Sequence, residues 1–144
     1  MNFFKPKFWD KNQISFFSVL LFPITLLIKF LIYFRTSLTK TYESSIPIIC
    51  VGNIYLGGTG KTPLCIEIFS ILKNLKLNPA FIRKQYDLFQ DEVDMQKSVG
   101  PVYLDKKRIN AVQQATKNNV NVAILDDGFQ DFSIKKSLSI ICFN

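Results

Sequence analysis

Three glycines, a lysine and a threonine stand close together at Gly57, Gly58, Gly60, Lys61 and Thr62, and two acids stand side by side at Asp126 and Asp127. Residues of these types handle phosphate. Glycines let backbone N–H groups close on an anion, and a helix N-terminus behind them adds positive partial charge. Lys61 would reach the β- and γ-phosphates of a nucleotide, and Thr62 would offer its hydroxyl to Mg2+. Asp126 and Asp127 follow an apolar run, and a carboxylate at the end of a strand beside the loop can hold Mg2+ or its water shell. Each half also has a plainer reading. The glycine cluster could be an ordinary strand-to-helix turn, and Asp-Asp-Gly a simple turn. The spacing G-x-x-x-x-G-K-[ST] is also broken, because Tyr55 stands where its first glycine belongs. The flanks favour nucleotide binding, with an apolar run before the glycines and a helical pattern after them.

These residues need a scaffold. Residues 48–51 read as a buried strand. The helix that follows Lys61 runs to about Leu75, with Pro63 in a first turn where its missing N–H is harmless. Ile66, Phe69, Ile71, Leu72 and Leu75 recur at helical spacing and are expected to pack on a sheet. Residues 79–82 form a second strand ending at Arg83, and strand–helix–strand at this length implies a right-handed parallel crossover. Residues 84–100 show no clear period, and Asp87, Asp91, Glu92 and Asp94 read there as a solvated acidic loop. Residues 102–104 make a third strand. Asp105 is placed to cap a helix running to about Asn118, with Ile109, Val112 and Ala115 on one face. Residues 120–125 and 137–143 supply two more strands. The fold class is α/β: a P-loop NTPase-like domain over residues 41–144, with a mostly parallel sheet flanked by helices, preceded by an apolar, membrane-associated helical segment over residues 1–40.

That first segment has its own chemistry. Lys5, Lys7 and Lys11 mix with Phe3, Phe4, Phe8 and Trp9, a composition typical of a membrane interface. Residues 14–34 are apolar on all sides apart from Lys29, and only just long enough to span a bilayer. Spanning the membrane and lying in its interface are both open. A core hairpin bent at Pro23 is the plainer alternative, and a cleaved signal peptide fits poorly because no small-residue cleavage site follows. The whole chain has 144 residues, a net charge of +7 and no histidine. A basic balance suits an anionic partner, but no run of five like charges exists, so nucleic acid gains no support. Histidine-based metal sites and general bases are excluded. Cys50, Cys65 and Cys142 lie in apolar runs without metal spacing and read as buried thiols of a reducing compartment.

Two longer stretches carry a family likeness. V-G-N-I-Y-L-G-G-T-G-K-T-P, at residues 51–63, resembles the unusual phosphate loop of the tetraacyldisaccharide 4′-kinases, in which the first loop glycine is also replaced. A-I-L-D-D-G-F-Q, at residues 123–130, resembles their second signature. Phe8-Trp9, Asp91-Glu92 and Lys107-Arg108 are smaller echoes. The resemblance implies transfer of the ATP γ-phosphate to the 4′-hydroxyl of a tetraacylated glucosamine disaccharide 1-phosphate, in lipid A synthesis at the cytoplasmic face of the bacterial inner membrane. It implies ATP binding by Tyr55, Leu56, Gly57, Gly58, Thr59, Gly60, Lys61 and Thr62. Mg2+ would sit by Thr62, Asp126 and Asp127, with Lys61 and Asp127 assisting transfer and Asp91 activating the sugar hydroxyl. The implied partners are the acylated disaccharide, inner-membrane lipids and a separate C-terminal half, because family members are about twice this long. On that ground the chain is expected to be a truncated or split copy whose activity alone is in question. A regulatory or assembly ATPase with the same loop, and a non-catalytic remnant at the membrane, are the alternatives. There are departures. Asp131 replaces a family histidine, the stretch holding Arg83 and Tyr86 lacks the family's glycines, and the segment before Asp91 is short.

Overall fold

The computed structural model describes residues 16–53, 60–85 and 90–143. The aromatic and basic residues of positions 1–13, Tyr55 to Thr59 of the loop, and Tyr86 and Asp87 lie outside them. The chain divides into two compact units, Met1–Thr39 and Lys40–Asn144.

The first unit holds α1, Phe16–Leu38, a single helix of 23 residues with Pro23 inside it. It does not turn back at Pro23, so the bent core hairpin does not form. From Val19 to Leu38 it is long and apolar enough to cross a membrane, and none of that stretch is buried. At 1.5 Å per residue the helix is about 35 Å long, against about 30 Å of bilayer hydrocarbon. Its threonine hydroxyls bond inside the helix, Thr25 Oγ1 to the Leu21 carbonyl at 3.0 Å and Thr36 Oγ1 to that of Tyr33 at 2.9 Å. Such back-bonding removes free donors that hydrocarbon could not satisfy.

The second unit is a five-stranded sheet in the order β3-β2-β4-β1-β5, parallel at every pairing. The strands are β1 Ile48–Asn53, β2 Pro79–Lys84, β3 Val102–Asp105, β4 Val122–Asp126 and β5 Leu138–Cys142. The helices are α2 Lys61–Asn74, α3 Gln90–Lys97 and α4 Arg108–Lys117. Inner strands of a parallel sheet are covered on both faces, so they read as unbroken apolar runs. Alternate residues feed two cores. Ile48, Cys50, Ala80, Ile82, Ala123 and Leu125 pack with Ala111, Val112 and Ala115 of α4. Val51, Phe81, Val122 and Ile124 pack with Cys65, Phe69 and Leu72 of α2. Phe69 and Phe81 stack with centroids 4.8 Å apart. At the edge, β5 leaves Leu138 and Ile141 exposed.

Three local expectations change. Residues 90–97, expected as part of an acidic loop, form α3. Asp91 and Glu92 occupy its first turn, where acids favour the helix dipole. The buried stripe of α2 is Thr62, Cys65, Phe69 and Leu72, while Ile71 and Leu75 face solvent at 50% and 65% exposure. The turn into α4 is closed by Asp105 Oδ1, which accepts from the Lys107 N–H at 2.8 Å and from Asn110 Nδ2 at 3.1 Å. Asp105 does not cap the helix as expected, because α4 begins at Arg108 with Lys107 at its N-cap and no side-chain cap bond.

Candidate phosphate-binding site

The strand order makes the site. β1 leads into the glycine loop and β4 ends in the acid pair, and these strands are direct neighbours with Val51 opposite Asp126. Both therefore finish at the same edge, the C-terminal edge where open α/β sheets bind ligands. Gly52 must be glycine for packing, because a Cβ there would lie 2.9 Å from Phe129. Gly60 takes φ 72°, which turns the chain into α2 with no side-chain cap. The leading N–H groups of a helix have no intrahelical partner, and here none is taken by a capping side chain.

Five side chains from the two motifs meet at that edge. Thr62 Oγ1 donates to Asp126 Oδ2 at 3.2 Å, with both residues buried. Lys61 Nζ donates to Asn53 Oδ1 at 2.9 Å and lies 3.4 Å from Asp127 Oδ1. Asp127 sits at φ 55°, a left-handed conformation that Asp tolerates, and its N–H bonds the Val51 carbonyl at 2.9 Å. A cavity opens here, lined by Lys61, Arg83, Lys84, Glu92, Arg108, Asp126 and Asp127. Cations outnumber carboxylates in that lining, which favours an anionic guest.

Four cavity-lining residues, Arg83, Lys84, Glu92 and Arg108, came from outside the two motifs. Arg83, at the end of β2, donates through Nη2 to Glu92 Oε2 and holds Nη1 3.6 Å from Asp126 Oδ2. Arg108, at the start of α4, donates through Nη2 to the Asp127 carbonyl at 2.8 Å and through Nη1 to Asp131 Oδ2 at 3.2 Å. Asp131 is thus the counter-ion of Arg108. Burial acts upward on the Asp131 pKa, but hydrogen bonds from Ser133 and Arg108 outweigh it and hold the carboxyl below its ordinary value. Glu92 lines the cavity, whereas its neighbour Asp91 is exposed on α3 and does not. The positions of Arg83 and Arg108 at strand and helix ends were the available signals.

Asp126 is the electrostatic focus. Burial raises its pKa, the Arg83 guanidinium opposes the rise, the Glu92 carboxylate adds to it, and hydrogen bonds from Thr62 and Gln96 counter it without cancelling it. Its second oxygen, Oδ1, is buried without a hydrogen-bond partner. Among the described residues the other such atoms are Arg83 Nη1, Gln96 Oε1 and Arg108 Nε. Unsatisfied buried polar atoms are rare in folded proteins, and here all of them belong to this cluster. An orphaned carboxylate oxygen beside a threonine hydroxyl fits a divalent cation. No trio of Cys, Asp or Glu suited to caging a metal occurs among the described residues, which suits Mg2+, an ion usually held by one or two carboxylates together with substrate phosphates. The cysteines play no part in this chemistry. Cys50 and Cys65 are buried, and burial pushes both thiols upward.

Residues 17–93 and 91–144 match the family model described as Tetraacyldisaccharide-1-P 4'-kinase. The chain belongs to that family. The tetraacyldisaccharide 4'-kinase of Pelagibacter ubique (strain HTCC1062) is 44% identical over 140 residues, which covers 97% of this chain and 44% of that protein. The tetraacyldisaccharide 4'-kinase of Paramagnetospirillum magneticum (strain ATCC 700264 / AMB-1) is 31% identical over 153 residues, or 94% of this chain and 46% of that protein. The crystal structure of the Aquifex aeolicus kinase of the same family, in complex with ATP, superposes with a TM-score of 0.64 at 24% identity, over 84% of this chain and 47% of the other. The fold is therefore that of a P-loop kinase, as the two motifs and the parallel sheet imply. The chain spans a little under half the length of these relatives, and the match lies in their N-terminal part.

Proposed function

We propose that this chain is the nucleotide-binding half of a lipid A 4′-kinase, which binds MgATP and directs its γ-phosphate to the 4′-hydroxyl of a tetraacylated glucosamine disaccharide 1-phosphate. The observation that carries this reading is the hydrogen bond from Thr62 to Asp126. It brings the loop motif and the acid motif into one site, which neither motif guarantees alone. Membership of the family and the ATP in the Aquifex aeolicus structure support the choice of nucleotide.

In this reading residues 55–62 bind ATP, and the Lys61 ammonium contacts its β- and γ-phosphates. Mg2+ would be held by Thr62, Asp126 and Asp127 together with the phosphates, and when bound it supplies charge neutralisation. Phosphoryl transfer needs positioning and charge stabilisation more than covalent help. The chain's own residues would provide both. Lys61 and the α2 N-terminus draw the phosphates to the sheet edge. Arg83 and Arg108 add fixed positive charge to the cavity wall. Asp91, the proposed base, would accept the sugar hydroxyl proton as the new oxygen–phosphorus bond forms and the bond from the γ-phosphorus to the bridging oxygen breaks, releasing ADP. Its exposure on α3 suits a group that must meet a substrate arriving from outside. Helix α1 would hold the protein at the cytoplasmic face of the inner membrane, where the acyl chains of the substrate stay in lipid. Residues equivalent to the rest of the relatives' length would complete the sugar site.

The test is phosphate transfer from labelled ATP to the tetraacylated disaccharide 1-phosphate in mixed micelles, with the C-terminal half of the Pelagibacter relative added. Product that depends on lipid, Mg2+ and Lys61 supports the reading. ATP hydrolysis indifferent to lipid would favour a regulatory ATPase instead.

A further inference from the structure

We infer that Gln96 is a positioning residue for Asp126, fixing which carboxylate oxygen is left for the Mg2+–nucleotide. The inference rests on the nucleotide site proposed above. Gln96 lies in the last turn of α3 and is fully buried, at 0% exposure. Its Nε2 donates to Asp126 Oδ2 at 2.9 Å, while its Oε1 has no hydrogen-bond partner. Burying an amide and satisfying only half of it is costly, and an apolar side chain would pack there without that cost. The only other buried residue of α3 is Val93. A glutamine kept at the centre of such a face therefore points to the one bond it makes.

That bond sorts the two oxygens of Asp126. Oδ2 accepts from Thr62 and Gln96 and faces Arg83, whereas Oδ1 accepts from nothing. The terminal torsion of an aspartate is soft and roughly two-fold, so Thr62 alone would not hold the carboxylate in one orientation. With Gln96 bound to the same oxygen, rotation breaks two hydrogen bonds at once. Gln96 also ties α3, the helix that carries Asp91 and Glu92, to the strand that carries the acid pair.

The experiment uses the full chain in detergent and compares wild type with Gln96→Met, which keeps the length of the side chain and removes the donor. ATP affinity is measured by calorimetry in excess Mg2+ and again in EDTA. The gain in affinity conferred by Mg2+ should fall about tenfold, the effect of losing one hydrogen bond to a charged group, while affinity in EDTA stays within about twofold. An unchanged Mg2+ gain, or equal losses under both conditions, would overturn the inference and leave Gln96 a packing residue. Should circular dichroism show Gln96→Met unfolded, the wild type decides. Its Gln96 side-chain amide resonance should move when Mg2+ is added to the ATP-bound protein, and a stationary resonance overturns the inference. Absence of ATP binding by wild type in both buffers would instead remove the nucleotide site itself.

Discussion

Replacing Lys61 by methionine should separate ligand binding from folding. In the structure Lys61 is 22% exposed and its ion-pair partner Asp127 is 64% exposed, at 3.4 Å. A pair this wet contributes about 0.2–1 kcal/mol, and the part-buried bond to Asn53 about 0.5–1.5 kcal/mol. For a domain of this size their joint loss is a fall in melting temperature of under about 20 °C. Against a nucleotide the same ammonium would make a charge-assisted bond to phosphate, worth about 1.5–3 kcal/mol. Its loss should weaken MgATP binding by about 10- to 150-fold. The assay pairs calorimetric titration of MgATP with thermal melting of the same Lys61→Met sample. Affinity within about threefold of wild type would refute the phosphate contact. A collapse of the fold would show that Lys61 acts as a structural residue, and would equally refute the reasoning.

Other outcomes follow from the same geometry. Thr62→Val removes a buried donor to a carboxylate and should cost about 1.5–3 kcal/mol in urea denaturation, in addition to weakening the response to Mg2+. Gly100→Ala would place a Cβ 2.2 Å from the Phe69 ring, which is itself stacked on Phe81. Overpacking of this kind costs about 1–3 kcal/mol, visible as a lowered urea midpoint with nucleotide affinity retained. Asp126 and Asp131 should give opposite pH responses. Burial raises the folded pKa of Asp126, so the folded state takes up that proton first and the Asp126 contribution to stability improves as pH falls through the folded value. Asp126→Asn should therefore raise the urea midpoint at neutral pH and remove that acid-side gain. Asp131 is held low, so its contribution is present above the unfolded carboxylate value and is lost as pH falls through the lower folded one. Asp131→Asn should flatten the stability profile at that acid end.

The chemistry of the site was legible where it dictates residue type. A phosphate loop needs glycines, an ammonium and a hydroxyl, and its partner strand needs a terminal acid, so Gly60, Lys61, Thr62, Asp126 and Asp127 stood out from their residue types and from the apolar runs and helical pattern that flank them. The buried strands were legible because parallel sheets leave apolar runs such as residues 122–125. The opposite wall of the cavity was not. Helix α3 has eight residues and buries only Val93 and Gln96, too few to print a helical period, so its acids looked like a solvated loop. Gln96 looks like any surface glutamine until α3 is docked. Arg83 and Arg108 acquire meaning only when the strand order brings the ends of β2 and β4 together. On α2, Ile71 and Leu75 fit the helical period as well as the true stripe does. What selects the face is Thr62, pinned to Asp126, with Cys65, Phe69 and Leu72 following on the same side.

The central claim is that the loop before α2 and the acid at the end of β4 form one MgATP site. Titration of the wild-type chain with ATP, in detergent and again in bilayers, tests it most directly. The account predicts saturable binding of one nucleotide per chain, strengthened by Mg2+ and lost in the Asp126→Ala variant. No heat of binding in either medium, or binding indifferent to both Mg2+ and Asp126, would contradict it.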